Sequence, residues 1–343
     1  MVQEAFNSQK RVTGLKGSGR RGMVMKKNFG ILGASGFVAP RHMKAIHSLG
    51  HCLKAACDPY DGVGILDRYF PECRFFTEVE RFDRYLERCR RWGPEEKVDY
   101  LSICSPNYLH DAHCRLALRS GADAICEKPL VISPWNLDQL STLQEESGHR
   151  IYTVLQLRLH DAVKRLKLDL DEAHKAGERT QIELTYVTRR GAWYHQSWKG
   201  NPNKSGTLAM NIGIHFFDML VWLFGALKSQ RVHVRDEQRV SGVLELAHAD
   251  VRWMLSIDSQ DLPQESINQG NHAYRALTMN GRDFDFSTGF DDLHTRVYED
   301  ILNGGGYGIE DARPAIELVH QVRHLELSPI DEEAHPLIQA QLM

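Results

Sequence analysis

The sequence has no surplus of basic charge. Its 343 residues carry 42 Lys and Arg against 45 Asp and Glu, a formal net charge of -3, so the broad positive field expected of a nucleic-acid binder is missing. Paired cysteine spacing is missing too. Seven cysteines, an odd number, all fall between Cys52 and Cys126 without one Cys-x-x-Cys pair, which argues against a disulfide framework. Cys57, Cys104 and Cys126 lie in apolar runs, where a thiol serves as a small core side chain, so a cytoplasmic protein with reduced thiols is expected. The longest apolar run, Phe216 to Gly225, is broken by Asp218 and is too short to cross a bilayer. Residues 1–25 hold Lys10, Arg11, Lys16, Arg20 and Arg21 among Gly and Ser but lack the apolar core of a secretory signal. They are expected to form a disordered extension.

One further absence points the other way. From Leu184 through Phe217 there is no Asp or Glu, while Arg189, Arg190, Lys199 and Lys204 all occur there. A negatively charged ligand is the inference. Within this interval Gly191 to Gly200 interleaves Trp193, Tyr194 and Trp198 with donor groups, a composition suited to a sugar or base held against flat faces.

What is present indicates two domains sharing a cleft, since the chain is longer than one typical domain and 42% of it is apolar. An amino-terminal Rossmann domain is expected over 26–157, an α+β domain with a large, mainly antiparallel sheet over 158–327, and a loose tail over 328–343. The first part rests on an apolar strand, Asn28 to Leu32, followed by Gly33, Gly36, Phe37, Val38 and Ala39 and then a helical pattern. Glycines there permit a tight turn and close approach of backbone to a pyrophosphate, which the next helix meets with its free N–H groups. The next apolar run ends at Asp58, 25 positions after Gly33. A carboxylate at that strand end accepts from both adenosine-ribose hydroxyls and repels a 2'-phosphate, so NAD is expected as cofactor rather than NADP. Val98 to Cys104 is a third strand, opening onto Ser105, Asn107 and His110, small and polar groups placed for the nicotinamide half of the cofactor.

The fourth apolar run stops at Glu127-Lys128-Pro129. Proline restricts the backbone of Lys128, and an aimed, partly buried amine can take a proton from a hydroxyl that is losing hydride. A further strand ends near Gln156 and Arg158. Strand patterns then follow at 181–188, 231–235, 240–246, 252–256, 273–279 and 283–286 with few helices between them, which is the basis for the antiparallel sheet. Gly206 to Leu223 starts as a helix on which Asn211 and His215, four apart, share a face. His42, His47 and His51 have no zinc spacing, and no metal is expected.

Together these motifs resemble the glucose-fructose oxidoreductase / inositol dehydrogenase family, over about residues 26 to 327. The glycine loop, Glu127-Lys128-Pro129 and the Asn211 to His215 helix stand in the expected order. Members commonly have an acid four residues before the helix histidine; here Asn211 stands instead. Within the family, the runs Gly33 to His42, Cys104 to His113, Leu155 to His160, Trp193 to Gly200 and Asn211 to Asp218 are most similar to UDP-N-acetylglucosaminuronate 3-dehydrogenases of O-antigen biosynthesis. The resemblance implies Lys128 and His215 as catalytic residues. It implies NAD contacts from Gly33, Gly36, Phe37, Val38, Asp58, Ser105, Asn107, His110, Glu127, Lys128 and Gln156. For a UDP-sugar substrate it implies Lys128, Arg158, Tyr194, Lys199, Ser205, Asn211 and His215. A homo-oligomer, a tetramer, is expected, with neither nucleic acid nor membrane as partner. A dehydrogenase of a free polyol or sugar and a non-catalytic NAD-binding sensor are the alternatives.

Overall fold

The computed structural model describes residues 26–340 except 176 and 286–288, so the extension expected over 1–25 lies outside the described residues. Six parallel strands form the first sheet: β1 (Asn28–Leu32), β2 (Cys52–Cys57), β3 (Arg74–Phe76), β4 (Tyr100–Ile103), β5 (Asp123–Cys126) and β6 (Ile151–Thr153). Their order is β3-β2-β1-β4-β5-β6. The chain changes direction across the sheet between β1 and β4, and the carboxyl ends of these strands are where such sheets take ligands. β1 is buried along its whole length, with Phe29 and Ile31 packed beside Met43 and Ile46 of the helix Ala39–Ser48. Leu32 lies in the other core layer with Phe82, Leu86 and Leu101. Helices on both faces explain why this strand reads as a continuous apolar run. β3 escapes the sequence pattern because only three residues pair and none is fully buried.

The second sheet holds β7 (Thr180–Thr188), β8 (Leu227–Arg235), β9 (Arg239–Leu246), β10 (Ala249–Ser256), β11 (Ala273–Met279) and β12 (Arg282–Asp283), ordered β12-β11-β7-β10-β9-β8. Every pair is antiparallel except β7 with β10. The expected mainly antiparallel sheet is therefore found. The helix Ile214–Phe224 packs on it, Phe217 meeting the fully buried Trp253 edge to face at 5.0 Å between ring centres. The window Pro202–Phe224 has a mean hydropathy of 1.5 and is long and apolar enough to cross a membrane, but 67% of it is buried inside the fold. It is core.

Two boundaries differ from expectation. The helix Leu293–Leu302 leaves the second domain and packs against Ala39–Ser48, placing Val297, Tyr298 and Ile301 in the core layer of β1. The segment after 327 is not a loose tail. Ala334, His335 and Ile338 are buried, His335 Nε2 lies 2.9 Å from Thr185 Oγ1 on β7, and Arg231 of β8 pairs with Asp331 and Glu333.

Candidate active site

The glycine loop is built by its neighbours. Gly33 has φ +82, and a Cβ there would stand 2.6 Å from the Cys104 backbone, so strand β4 approaches as closely as a bare backbone allows. The Gly36 N–H donates to the Gly33 carbonyl at 3.0 Å, closing the turn before Val38 and the helix Ala39–Ser48. Asp58, just past β2, accepts from the N–H groups of Ser35 and Tyr60, both at 3.0 Å. These bonds fix the carboxylate against the loop with lone pairs remaining for ribose hydroxyls. Phe37, 86% exposed, stands at the loop's outer edge with the Arg41 guanidinium 5.6 Å from its ring centre. The cradle fits a dinucleotide.

Lys128 follows Glu127 at the end of β5 and is joined to Pro129 by a cis bond, and its Nζ donates to the Asn211 carbonyl at 3.0 Å. That carbonyl belongs to a π-helical turn, Ala209–Gly213, which precedes the helix Ile214–Phe224. A π-turn widens the backbone, and such turns concentrate at functional sites. The Asn211 side chain receives a long bond from Asn107 Nδ2, 3.4 Å, and donates to the Tyr194 hydroxyl at 3.2 Å. Lys128, Tyr194, Lys199, Asn211 and His215 line one cavity of about 620 Å³ together with Phe37 and Gln156. The segments carrying the Lys128 amine and the His215 imidazole therefore meet at one cavity.

Electrostatics shift both groups toward their neutral forms. Burial pushes the Lys128 ammonium below its ordinary value, Glu127 opposes the shift, and the charges of Lys199 and Arg190 add to it. Burial, followed by the positive charge of Lys128, holds the His215 imidazole well below its ordinary value. Arg41, Arg190 and Arg275 also line the cavity, giving five cationic side chains with Lys128 and Lys199, while none of the described lining residues is Asp or Glu.

Among the expected contacts absent from this lining, Arg158, Ser205 and His110 are held by partners within the fold. Arg158 is buried in a two-pronged ion pair with Asp218, at 2.7 and 3.1 Å, and also pairs with Asp311 at 3.3 Å. Ser205 is wholly buried, its hydroxyl donating to the Asn201 carbonyl at 3.0 Å and its own carbonyl accepting from Asn107 at 2.8 Å. His110 spans the carbonyls of Pro129 and Ser105, at 2.7 and 2.8 Å, bracing the ends of β4 and β5 rather than facing a ligand. Ser105 stays at the end of β4 with its hydroxyl 2.8 Å from His113 Nδ1, and Glu127 at the end of β5.

Sequence reasoning passed over Arg41, Tyr186, Arg275 and Phe290. Arg190 had been noted only as part of the acid-free interval. Arg275 had no signal: it sits in β11, and its guanidinium lies over the rings of Tyr186, Phe216 and Phe290 at 5.5, 5.9 and 4.9 Å. Only the fold gathers these segments.

Residues 27–155 match the oxidoreductase family, NAD-binding Rossmann fold, and residues 172–260 match its C-terminal alpha/beta domain. A WlbA (WbpB) dehydrogenase from Thermus thermophilus, solved with NAD and UDP-GlcNAcA and also with NAD and alpha-ketoglutarate, is 47% identical with a TM-score of 0.86. The alignment covers 90% of this chain and 99% of that one. A WlbA dehydrogenase from Bordetella pertussis, solved with NADH and UDP-GlcNAcA, shares the fold with a TM-score of 0.69 at 17% identity, over 89% of this chain and 98% of that one. Among curated relatives, a D-glucoside 3-dehydrogenase of Escherichia coli is 28% identical over 145 residues, 40% of this chain and 39% of that protein. The chain spans about two fifths of the length of such relatives.

Proposed function

The chain belongs to the oxidoreductase family that joins an NAD-binding Rossmann fold to a C-terminal alpha/beta domain, and from that premise we propose that it oxidises the 3-hydroxyl of UDP-N-acetyl-D-glucosaminuronic acid to the 3-keto sugar nucleotide. The observation that carries this reading is the cavity itself, where the Lys128 amine and the His215 imidazole face a volume also lined by Arg41, Arg190, Lys199 and Arg275. A UDP-uronate brings a diphosphate and a carboxylate, and a cavity bordered by several basic side chains, with no Asp or Glu among its described lining residues, suits both. Trp193 and Tyr194 supply flat faces for the sugar or base.

Bound NAD supplies the hydride acceptor. Gly33 and Gly36 leave room for its pyrophosphate, Asp58 receives the adenosine ribose, and Phe37, Val38, Ser105, Asn107, Glu127 and Gln156 border the remainder. Neutral Lys128 takes the hydroxyl proton onto Nζ, and the Asn211 carbonyl already at hydrogen-bond distance holds the ammonium that results. His215 orients the hydroxyl from the facing helix. Lys199, Arg190 and Arg275 hold the anionic groups, with Tyr194 and Asn211 beside the sugar. The product is a keto sugar nucleotide for lipopolysaccharide O-antigen assembly, made in the cytoplasm. A homo-oligomer, a tetramer, belongs to this reading, with Leu325 and Leu327, exposed where the chain bridges to Val232 of β8, as apolar surface for a second copy to cover; sedimentation would measure its size.

The test follows NADH absorbance with purified protein, NAD and the UDP-uronate, with product mass and the position of the keto group determined. Lys128→Ala should lower turnover about 10²- to 10⁴-fold with NAD binding kept. Equal rates on a free sugar lacking the UDP group would overturn the assigned substrate.

A further inference from the structure

Behind Glu127, one residue before Lys128, runs a chain of buried polar groups, Ser102, Tyr298, His42 and His294, that the reaction above does not use. Glu127 Oε1 lies 3.0 Å from His42 Nε2 and 2.9 Å from His294 Nε2, while Oε2 accepts the Lys128 N–H at 3.3 Å. Behind His42, Nδ1 meets the Tyr298 hydroxyl at 2.7 Å, and that hydroxyl meets Ser102 Oγ at 2.5 Å. Ser102, Tyr298, His42, Glu127 and His294 are all buried. The five groups come from β4, β5 and two helices distant in sequence.

Donor accounting sets the protons. An ionised carboxylate only accepts, so each Nε2 facing Oε1 carries a hydrogen. In a neutral His42 the other nitrogen then accepts, Tyr298 donates to it, and Ser102 donates to Tyr298. The hydrogens point one way, from Ser102 toward Glu127, and the charge gathers on Glu127. Burial alone would favour the protonated acid, but the bonds from His294 and His42 outweigh it and hold the carboxyl well below its ordinary value.

We propose that His42 and His294 are positioning residues: by donating to one oxygen of Glu127 they fix a negative charge beside the Lys128 amine, and so set the pH range in which that amine accepts the substrate proton. The inference rests on the reading of Lys128 as proton acceptor. The groups facing this pair are His42 from Ala39–Ser48, and His294 and Tyr298 from Leu293–Leu302. Ser102 and the Cys104 thiol come from β4 and its end, His110 from the segment after it, Cys126 from β5, and Asn211 and His215 from the π-turn and helix. Arg190, Lys199 and Arg275 approach across the cavity. Burial and the cations Lys199 and Arg190 press the amine to release its proton, and Glu127 resists. Losing the Glu127 charge therefore lets Lys128 deprotonate at lower pH, which moves the acid limb of the rate profile toward acid.

The experiment records kcat and kcat/KM from pH 5 to 9 for the full chain with NAD and UDP-N-acetyl-D-glucosaminuronic acid. It compares the wild type with His294→Leu, His294→Gln and Glu127→Gln. Leucine removes the donor, whereas glutamine can place an amide N–H near the position of Nε2. His294→Leu and Glu127→Gln should displace the acid limb of kcat by roughly one pH unit toward acid, and His294→Gln should restore it. NAD affinity of His294→Leu and His294→Gln, followed by fluorescence quenching, should stay within about threefold, as expected for a change centred on the proton-transfer step. Should His294→Leu fail to fold, Glu127→Gln reports the same displacement alone. Rates that fall evenly at every pH, with no displaced limb, would make the network structural only and overturn the inference. So would one tightly held divalent ion lost in His294→Leu, because a metal-bound Nε2 carries no proton; the ligand atoms of His42, Glu127 and His294 lie within 4.8 Å of one another. An active Lys128→Ala would sink the underlying reading instead, and a dead Lys128→Ala with an unmoved limb would sink only the inference.

Discussion

Arg158 and Asp58 stand near the ends of their strands in the same way, yet the fold uses them for different ends. Asp58 remains at the glycine loop, where a strand-end carboxylate can meet a ribose, so its position was readable from spacing alone. Arg158 turns inward, because Asp218 lies on the apolar helix Ile214–Phe224 and needs a buried partner. Sequence spacing could not reveal that pair, whose members are 60 positions apart. Removing one member leaves the other charge buried and unpaired, so Arg158→Leu should cost about 3–5 kcal/mol of stability. Thermal unfolding would register the loss; a raised KM at unchanged stability would instead return Arg158 to the substrate site. For Asp58→Ser the cofactor preference should move, with NADP gaining at least about tenfold in kcat/KM relative to NAD, since the repelling carboxylate is gone. Unchanged selectivity would remove Asp58 from ribose recognition.

At the scale of elements, the Rossmann half was legible because its strands are buried on both faces and end in functional groups. The short β3 was not, since three half-covered residues leave no periodic pattern. In the second half, alternation exposed the strands, and the lack of acids marked the loop that later proved to line the cavity. The π-turn at Ala209–Gly213 had no sequence signature, although it frees the carbonyl that meets Lys128. Arg275 was equally hidden, because its aromatic surroundings come from β7, the helix Ile214–Phe224 and the segment before Leu293. The glycine loop offers a direct test of tight packing between elements. Gly33→Ala places a Cβ 2.6 Å from the Cys104 backbone at φ +82, so the loop must move away from β4, at about 1–3 kcal/mol. NAD affinity should drop about 5- to 150-fold, since a cost of that size falls on the geometry that receives the pyrophosphate. Titration of NAD fluorescence quenching would show it, and wild-type affinity would mean that the turn is not the cofactor cradle.

Across the whole molecule, the two halves are interlocked rather than strung together. Leu293–Leu302 returns to the first domain to bring His294 and Tyr298 beneath the end of β5, and the terminal segment covers β7 through His335. This interlocking buries histidines in separate regions, and burial lowers each: His42 and His215 fall below 6.5, and His113 and His335 fall to about 4. These groups stay neutral when folded but bind protons once unfolded below pH 6.5. Their stabilisation is therefore present above that pH and drains away as pH falls toward their folded values, each fully buried neutral histidine withdrawing up to about 1.4 kcal/mol per pH unit. Glu127, depressed in the folded state, adds a loss of the same sign at lower pH, below its unfolded value of about 4.3. Calorimetry at pH 7.5, 6 and 5 should show the melting temperature falling increasingly steeply, and a flat response would contradict neutral burial. His335 isolates the effect from catalysis, because it contacts Thr185 and lies outside the cavity. His335→Gln keeps a polar partner for that hydroxyl but cannot titrate, so it should flatten the stability slope below pH 6.5 while the pH profile of turnover stays that of the wild type.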